Sequence, residues 1–123
     1  MQRSFRLTRS EDFKRVRRDG KSYAHPLVVL IALNSENNDP SRVRPVRVGV
    51  AAGKSVGTAV YRNRAKRLLR EAMRTLLPSI ASITSSSDLI LVARPALASA
   101  SLTDVREALL TLLQRAKLIP SQA

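Results

Sequence analysis

Cysteine is missing from all 123 residues, which removes disulfides, thiolate metal sites and thiol nucleophiles together. Tryptophan is missing too, and two phenylalanines and two tyrosines are the only aromatics. A chain that lies on a membrane surface needs bulky apolar groups opposite its charge, so that reading has little to stand on. No stretch approaches the roughly 18–20 apolar residues that span a bilayer. The start, MQRSFRLTRSEDF, puts charges where a secretory signal needs its apolar run, so the chain is expected to stay in the cytoplasm.

Groups for catalysis are equally scarce. The single histidine, His25, stands beside Pro26 with no nucleophile or metal partner in its pattern and reads as a turn or surface residue. The nine Asp and Glu do not cluster. Glu11 and Asp12 suit a helix start, Asp39 a turn and Glu71 a charge partner on a basic helix, whereas a two-metal nuclease needs carboxylates gathered at one place. The loop GKSVGT, residues 53 to 58, lacks the GxxxxGK[ST] spacing of a nucleotide P-loop. Lys54 and the amides of the following helix still offer a grip for one phosphate of a polymer.

Against nine acids stand 22 Lys and Arg, a formal net charge of +13. Such a protein is steered toward polyanions, and nucleic acid is the leading partner class. The length suits one domain, residues 1 to 123, and the 44% hydrophobic content is enough for a core. The sequence leaves open whether residues 1 to 5 and 118 to 123 are ordered.

Ser10 followed by Glu11 and Asp12 predicts a helix over about 10 to 19, closed at Gly20. Residues 27 to 33, LVVLIAL, predict a buried strand, preceded by a short one near Ser22 to Ala24. Residues 34 to 45 form a polar loop, and Val46 to Ala52 a second long strand expected to pair with 27–33 as a hairpin. A basic helix then runs to about Leu77 and stops at Pro78. After a Ser-rich segment, 79 to 87, come a strand over Asp88 to Ala93 and a last helix over Ser101 to Lys117, with Leu102, Val105, Leu109, Leu112 and Leu113 inward. The expected fold is α/β (α+β), a two-layer sandwich of a mixed four-stranded sheet and helices in the order αβββαβα. The crossover from 46 to 93 is long enough to make its two strands parallel.

The basic helix is the most informative element. At about 100° per residue it gathers Arg62, Asn63, Lys66, Arg67, Arg70 and Arg74 into roughly 140° of surface. Tyr61, Ala65, Leu68, Leu69, Ala72 and Leu76 make an apolar stripe of about 100°. A solvated face ordinarily mixes both signs, and like charges at i and i+4 destabilise an isolated helix by a few tenths of a kcal/mol per pair. A one-signed arc that costs stability indicates an anionic ligand. Phe13, spaced with Val16 on the first helix, fits either core packing or base stacking.

The stretch GKSVGTAVYRNRAKRLLREAMR resembles the signature of the bacterial ribonuclease P protein family, including the Arg62-Asn63-Arg64 triplet. RLTRSEDFKRV upstream, VRVGVAAGK leading in and DLILVARP after the helix agree in order, from Arg6 to about Lys117. The resemblance implies a sandwich with a left-handed βαβ crossover, which the usual handedness rule would not suggest. It implies a one-protein, one-RNA particle in which a large catalytic RNA holds the active site and its Mg2+ and removes the 5′ leader of precursor tRNA. Arg62, Asn63, Arg64, Lys66, Arg67 and Arg70 match the motif helix that lies against that RNA, Arg74 extends the same arc, and Lys54 and Ser55 match the loop before it. Phe13 matches an aromatic of a leader-binding cleft that also includes Ser22. Arg17 stands where relatives often carry a second aromatic, and Ile31 where some carry tyrosine. The alternative is a general RNA- or ribosome-binding module with no part in cleavage.

Overall fold

The computed structural model describes residues 6–34, 46–81 and 87–119, and a strand buried along almost its whole length runs through its sheet. That strand, β4 (Ser87–Ala93), lies between β2 (Val28–Asn34) and β3 (Arg47–Ala52), with β1 (Lys21–Ala24) outside β2. The order is β1-β2-β4-β3. β4 pairs antiparallel with β2 and parallel with β3, so the crossover is parallel as expected. The expected hairpin of β2 with β3 does not form. Pairing those two directly would leave DLILVA, apolar on both faces, at an exposed edge. β3, with Arg47, Gly49 and small alanines, tolerates the outer position.

The inner layer of helices is α2 (Ala59–Ala81) and α3 (Leu102–Arg115). Leu69, Met73 and Ile80 of α2 and Leu109, Leu112 and Leu113 of α3 pack on Val28, Leu30, Leu89 and Leu91, all fully buried. The alternate residues of the same strands, Ile31 and Ile90, face the other way and meet Leu7 and Val16 under α1 (Ser10–Asp19). Period-2 alternation thus supplies two apolar faces from each strand.

Several boundaries differ from the sequence expectation. Helix α2 runs through Pro78 to Ala81. An interior proline costs about 3 kcal/mol. Burial of Leu77 and Ile80, at about 1.5–3 kcal/mol each, offsets it. Ser10 is the first helical residue of α1, not its cap; Arg9 holds that position with no side-chain bond. Ser101 does cap α3: its Oγ accepts the Asp104 amide at 3.1 Å, and Asp104 accepts the Ser101 amide at 3.4 Å. Leu102, expected inside, is 43% exposed in the first turn of that helix. Leu118 and Ile119 are buried. The polar loop expected over 34 to 45 and the Ser-rich segment fall largely outside the described residues, though Ser79 is helical and Ser87 already belongs to β4.

The arm before α1 lies along β3. Arg6 bridges Val48 in parallel, the Leu7 amide donates to the Val48 carbonyl at 2.9 Å, and Leu7 is buried. An open sheet edge is thereby covered.

Candidate nucleic-acid interface

Burial turns α2 so that its core centre lies roughly 50° from the stripe read in the sequence. Ala65, Leu69, Ala72 and Leu76 are inside as expected, but Met73, Leu77 and Ile80 join them. Tyr61 is instead 53% exposed, and Leu68 is only half-buried. Arg62 and Lys66 fall on the same side of the helix as the shifted core, at its N-terminal end, and are half-buried, while Asn63, Arg64, Arg67, Arg70 and Arg74 are exposed.

The cations of this face differ in what already holds them. Arg74 is paired with Glu71, Nη2 to Oε1 at 2.6 Å, and its bond keeps the Glu71 carboxyl below the usual carboxylate range. Arg64 Nε donates to the Ala98 carbonyl at 2.9 Å, tying α2 to the short 3-10 turn Pro95–Ser99. Arg62 Nε is shut away from solvent without an acceptor, a situation that costs about 1–3 kcal/mol for a buried donor. Lys54 stands exposed in a 3-10 turn, Lys54–Val56, just before α2. None of Lys54, Arg62, Arg64, Lys66, Arg67 and Arg70 has a carboxylate partner among the described residues.

The residues expected in a cleft fall mostly on one row of the sheet. Ser22 faces Ile31 across β1 and β2, Ile31 faces Ile90, and Ile90 faces Gly49. Phe13 lies at the Gly49 end of that row. A Cβ on Gly49 would sit 2.5 Å from Phe13 Cζ, so only glycine lets the ring lie this close to the strand. Ser22 is exposed at the other end and Arg17 is exposed on α1. Ile31 is buried beneath α1, so it belongs to the floor.

Phe13 also opens onto a groove of 210 Å³ whose walls include Arg6, Thr8, Val48, Val50 and, from α2, Arg70. The ring of the first helix and a guanidinium of the basic helix therefore share one concavity along the β3 edge. Sequence reasoning did not assign Arg6 and Thr8 to this place; their position depends on the arm pairing with β3, which no local pattern signals.

A cluster of four charges locks α1 over the site. Asp88 of β4 accepts from Arg47 Nε and Nη2, both at 2.9 Å, and from Arg15 Nη2 at 2.6 Å. Asp12 accepts from Arg15 at 3.1 Å and lies 3.7 Å from Arg47. Burial pushes the Asp88 carboxyl up, and the two guanidiniums more than reverse this, leaving it below its ordinary value. The Asp88 bond in turn holds Arg15 above its ordinary value. The oxygens of both aspartates are thus engaged by arginine. Among the described residues no group of three His, Asp or Glu side chains is placed to hold a metal, and no helix is long and apolar enough to cross a membrane.

The family model described as Ribonuclease P matches residues 1 to 117. The chain belongs to the ribonuclease P protein family. It is 37% identical over 122 residues to the ribonuclease P protein component of Chloroflexus aurantiacus, covering 98% of this chain and 84% of that protein. With the component from Herpetosiphon aurantiacus it shares 41% over 118 residues, 96% of this chain and 89% of the relative. The fold matches the RNase P protein of Staphylococcus aureus at a TM-score of 0.76 and 26% identity, over 94% of this chain and 97% of that one. For the RNase P protein of Thermotoga maritima the values are 0.71 and 28%, over 89% and 96%. The mixed four-stranded sheet with three helices is therefore the ribonuclease P protein fold, as the sequence implied.

Proposed function

We propose that this chain is the protein subunit of ribonuclease P: it binds the catalytic RNA and the 5′ leader of precursor tRNA and assists removal of that leader. The observation that carries the reading is the outward cationic face of α2, free of carboxylates apart from Glu71 and adjoining, through Arg70, the groove at Phe13. In this reading α2 and Lys54 neutralise phosphates of the catalytic RNA. Phe13, Arg17 and Ser22 hold extended leader nucleotides above a floor that includes Ile31. An acceptor-free Arg62 gains its missing partner by turning toward a phosphate.

The protein works as a clamp on two RNAs in a particle of one protein and one RNA, in the cytoplasm. Magnesium belongs to the RNA in this reading, since Asp12 and Asp88, the two carboxylates that meet at the same arginine among the described residues, are spent on Arg15 and Arg47. Phosphate neutralisation by the protein lowers the number of monovalent ions that magnesium must displace. The deciding experiment incubates purified protein with precursor tRNA and magnesium, with and without the cognate large RNA. Cleavage is expected only with the RNA, and the protein's assistance should be greatest at low magnesium. Cleavage by the protein alone, or RNA binding without any assistance, overturns the reading; the second result identifies a general RNA-binding module.

The leader contact has its own readout. Phe13→Ala should weaken binding of leader-bearing substrate to the holoenzyme roughly ten-fold, the size of one lost base stack, and leave mature tRNA unaffected. Phe13→Leu keeps most of the packing on Gly49 and should show the same selective loss. Equal losses for both RNAs would remove the leader role.

A further inference from the structure

We infer that Tyr61 is a stacking platform for one unpaired nucleobase of the bound RNA, seated in a cleft between the start of α2 and the Pro95–Ser99 turn. The inference deepens the RNA-binding reading above by adding a base contact to its phosphate contacts. Three observations meet at this place. Tyr61 and its neighbour Val60 are 53% and 75% exposed, the two most exposed large apolar side chains among the described residues. Aromatic surface left open in this way gains nothing for the core.

The cleft beside the ring measures 340 Å³, within the span of small-ligand sites at about 300–1,000 Å³. Val56, Pro95 and Ala98 make its apolar wall, and Thr58 and Ser99 also line it, the Ser99 hydroxyl donating to the Ala96 carbonyl at 3.3 Å. It is pre-formed. Gly57, at φ 132°, turns the chain so that its bare Cα backs Tyr61; a Cβ there would sit 3.2 Å from the ring's Cδ2. Arg64, bonded to Ala98, fixes the far wall to the same helix that carries the ring.

Charge selects the occupant. No carboxylate lines the cleft, and Lys54, Arg62 and Arg64 flank it in the chain. An apolar cleft with an aromatic ring in its lining and cations close by in the chain complements a base of a polyphosphate strand, and base–aromatic stacking tolerates any of the four bases.

The absence of tryptophan makes the test direct. In Tyr23→Phe protein, Tyr61 is the sole remaining tyrosine, and its emission is followed during titration with oligoadenylate and with an abasic oligonucleotide of equal length and charge. Saturable quenching by oligoadenylate alone is expected; the same response to both overturns the inference. In parallel, Tyr61→Leu and Tyr61→Phe are titrated against the large RNA of ribonuclease P. The leucine variant should bind roughly 5- to 150-fold more weakly, with its melting temperature and its slope of log affinity against log salt unchanged, and phenylalanine should restore binding. Wild-type affinity in a folded Tyr61→Leu variant overturns the inference. No wild-type affinity for that RNA would overturn the subunit reading instead, leaving the oligoadenylate titration to decide the stacking.

Discussion

Asp88→Asn should destabilise the fold by about 3 kcal/mol, the low end for breaking a buried ion pair, and lower Tm by roughly 10 °C. The low end applies because the Arg47 and Arg15 side chains keep 19% and 27% of their exposure, so water relaxes the charges left behind, whereas the Asp88 side chain keeps only 5%. Acid should act on the wild type in the same way. The Asp88 carboxyl lies below its ordinary value in the fold, so its contribution is complete above the unfolded carboxylate range near about 3.9. It fades as pH falls through the lowered folded value. Denaturant unfolding between pH 5 and about pH 2 should therefore show an acid loss that the asparagine variant lacks in part. An identical acid limb in both proteins would mean that Asp88 is not the group that responds. Because the same aspartate ties α1 to β4, the variant should also loosen the Phe13 groove.

The second large effect is on RNA affinity. Lys54, Arg62, Arg64, Lys66, Arg67 and Arg70 have no carboxylate partner among the described residues. If each meets one phosphate, affinity for the large RNA should fall about a thousandfold between 50 and 200 mM salt, with a slope near −5 in log units. Combining Arg67→Ala with Arg70→Ala should reduce the slope by about 2 and leave Tm nearly unchanged, since both side chains are exposed. Arg74→Ala should change the slope little, because Glu71 already neutralises it. A flat salt response of the wild type would contradict phosphate binding altogether.

Most elements were legible in the sequence because each was signalled locally. The apolar runs of β2 and β4, the acids opening α1, and the spacing of Val105, Leu109, Leu112 and Leu113 in α3 are short-range patterns with short-range causes. What escaped depends on contacts made at a distance. Pro78 reads as a stop until Ile80 is seen buried beyond it. Consecutive strands suggested a hairpin, but β4, buried along almost its whole length, is inserted between them. Tyr61 belongs to a helical stripe by spacing alone, and only the tilt of α2 toward Met73 and Ile80 brings the ring into the open. Asp88 is one carboxylate at the head of a strand, and nothing marked it until the parallel register set Arg47 opposite it. The one-signed face of α2 was readable because, Arg74 with its Glu71 apart, its cations have no carboxylate partner among the described residues to offset their repulsion.

The central seat of β4 also orders the life of the chain on the ribosome. β2 and β3 have no hydrogen bonds to each other, so nothing holds them side by side until residues 87 to 93 have been made and slotted between them. A nascent chain shorter than that carries most of its positive charge but has no complete sheet on which to mount it. The sheet thus cannot close before residue 93 has been made and released, and a product cut short of it is a sticky polycation rather than a smaller working protein.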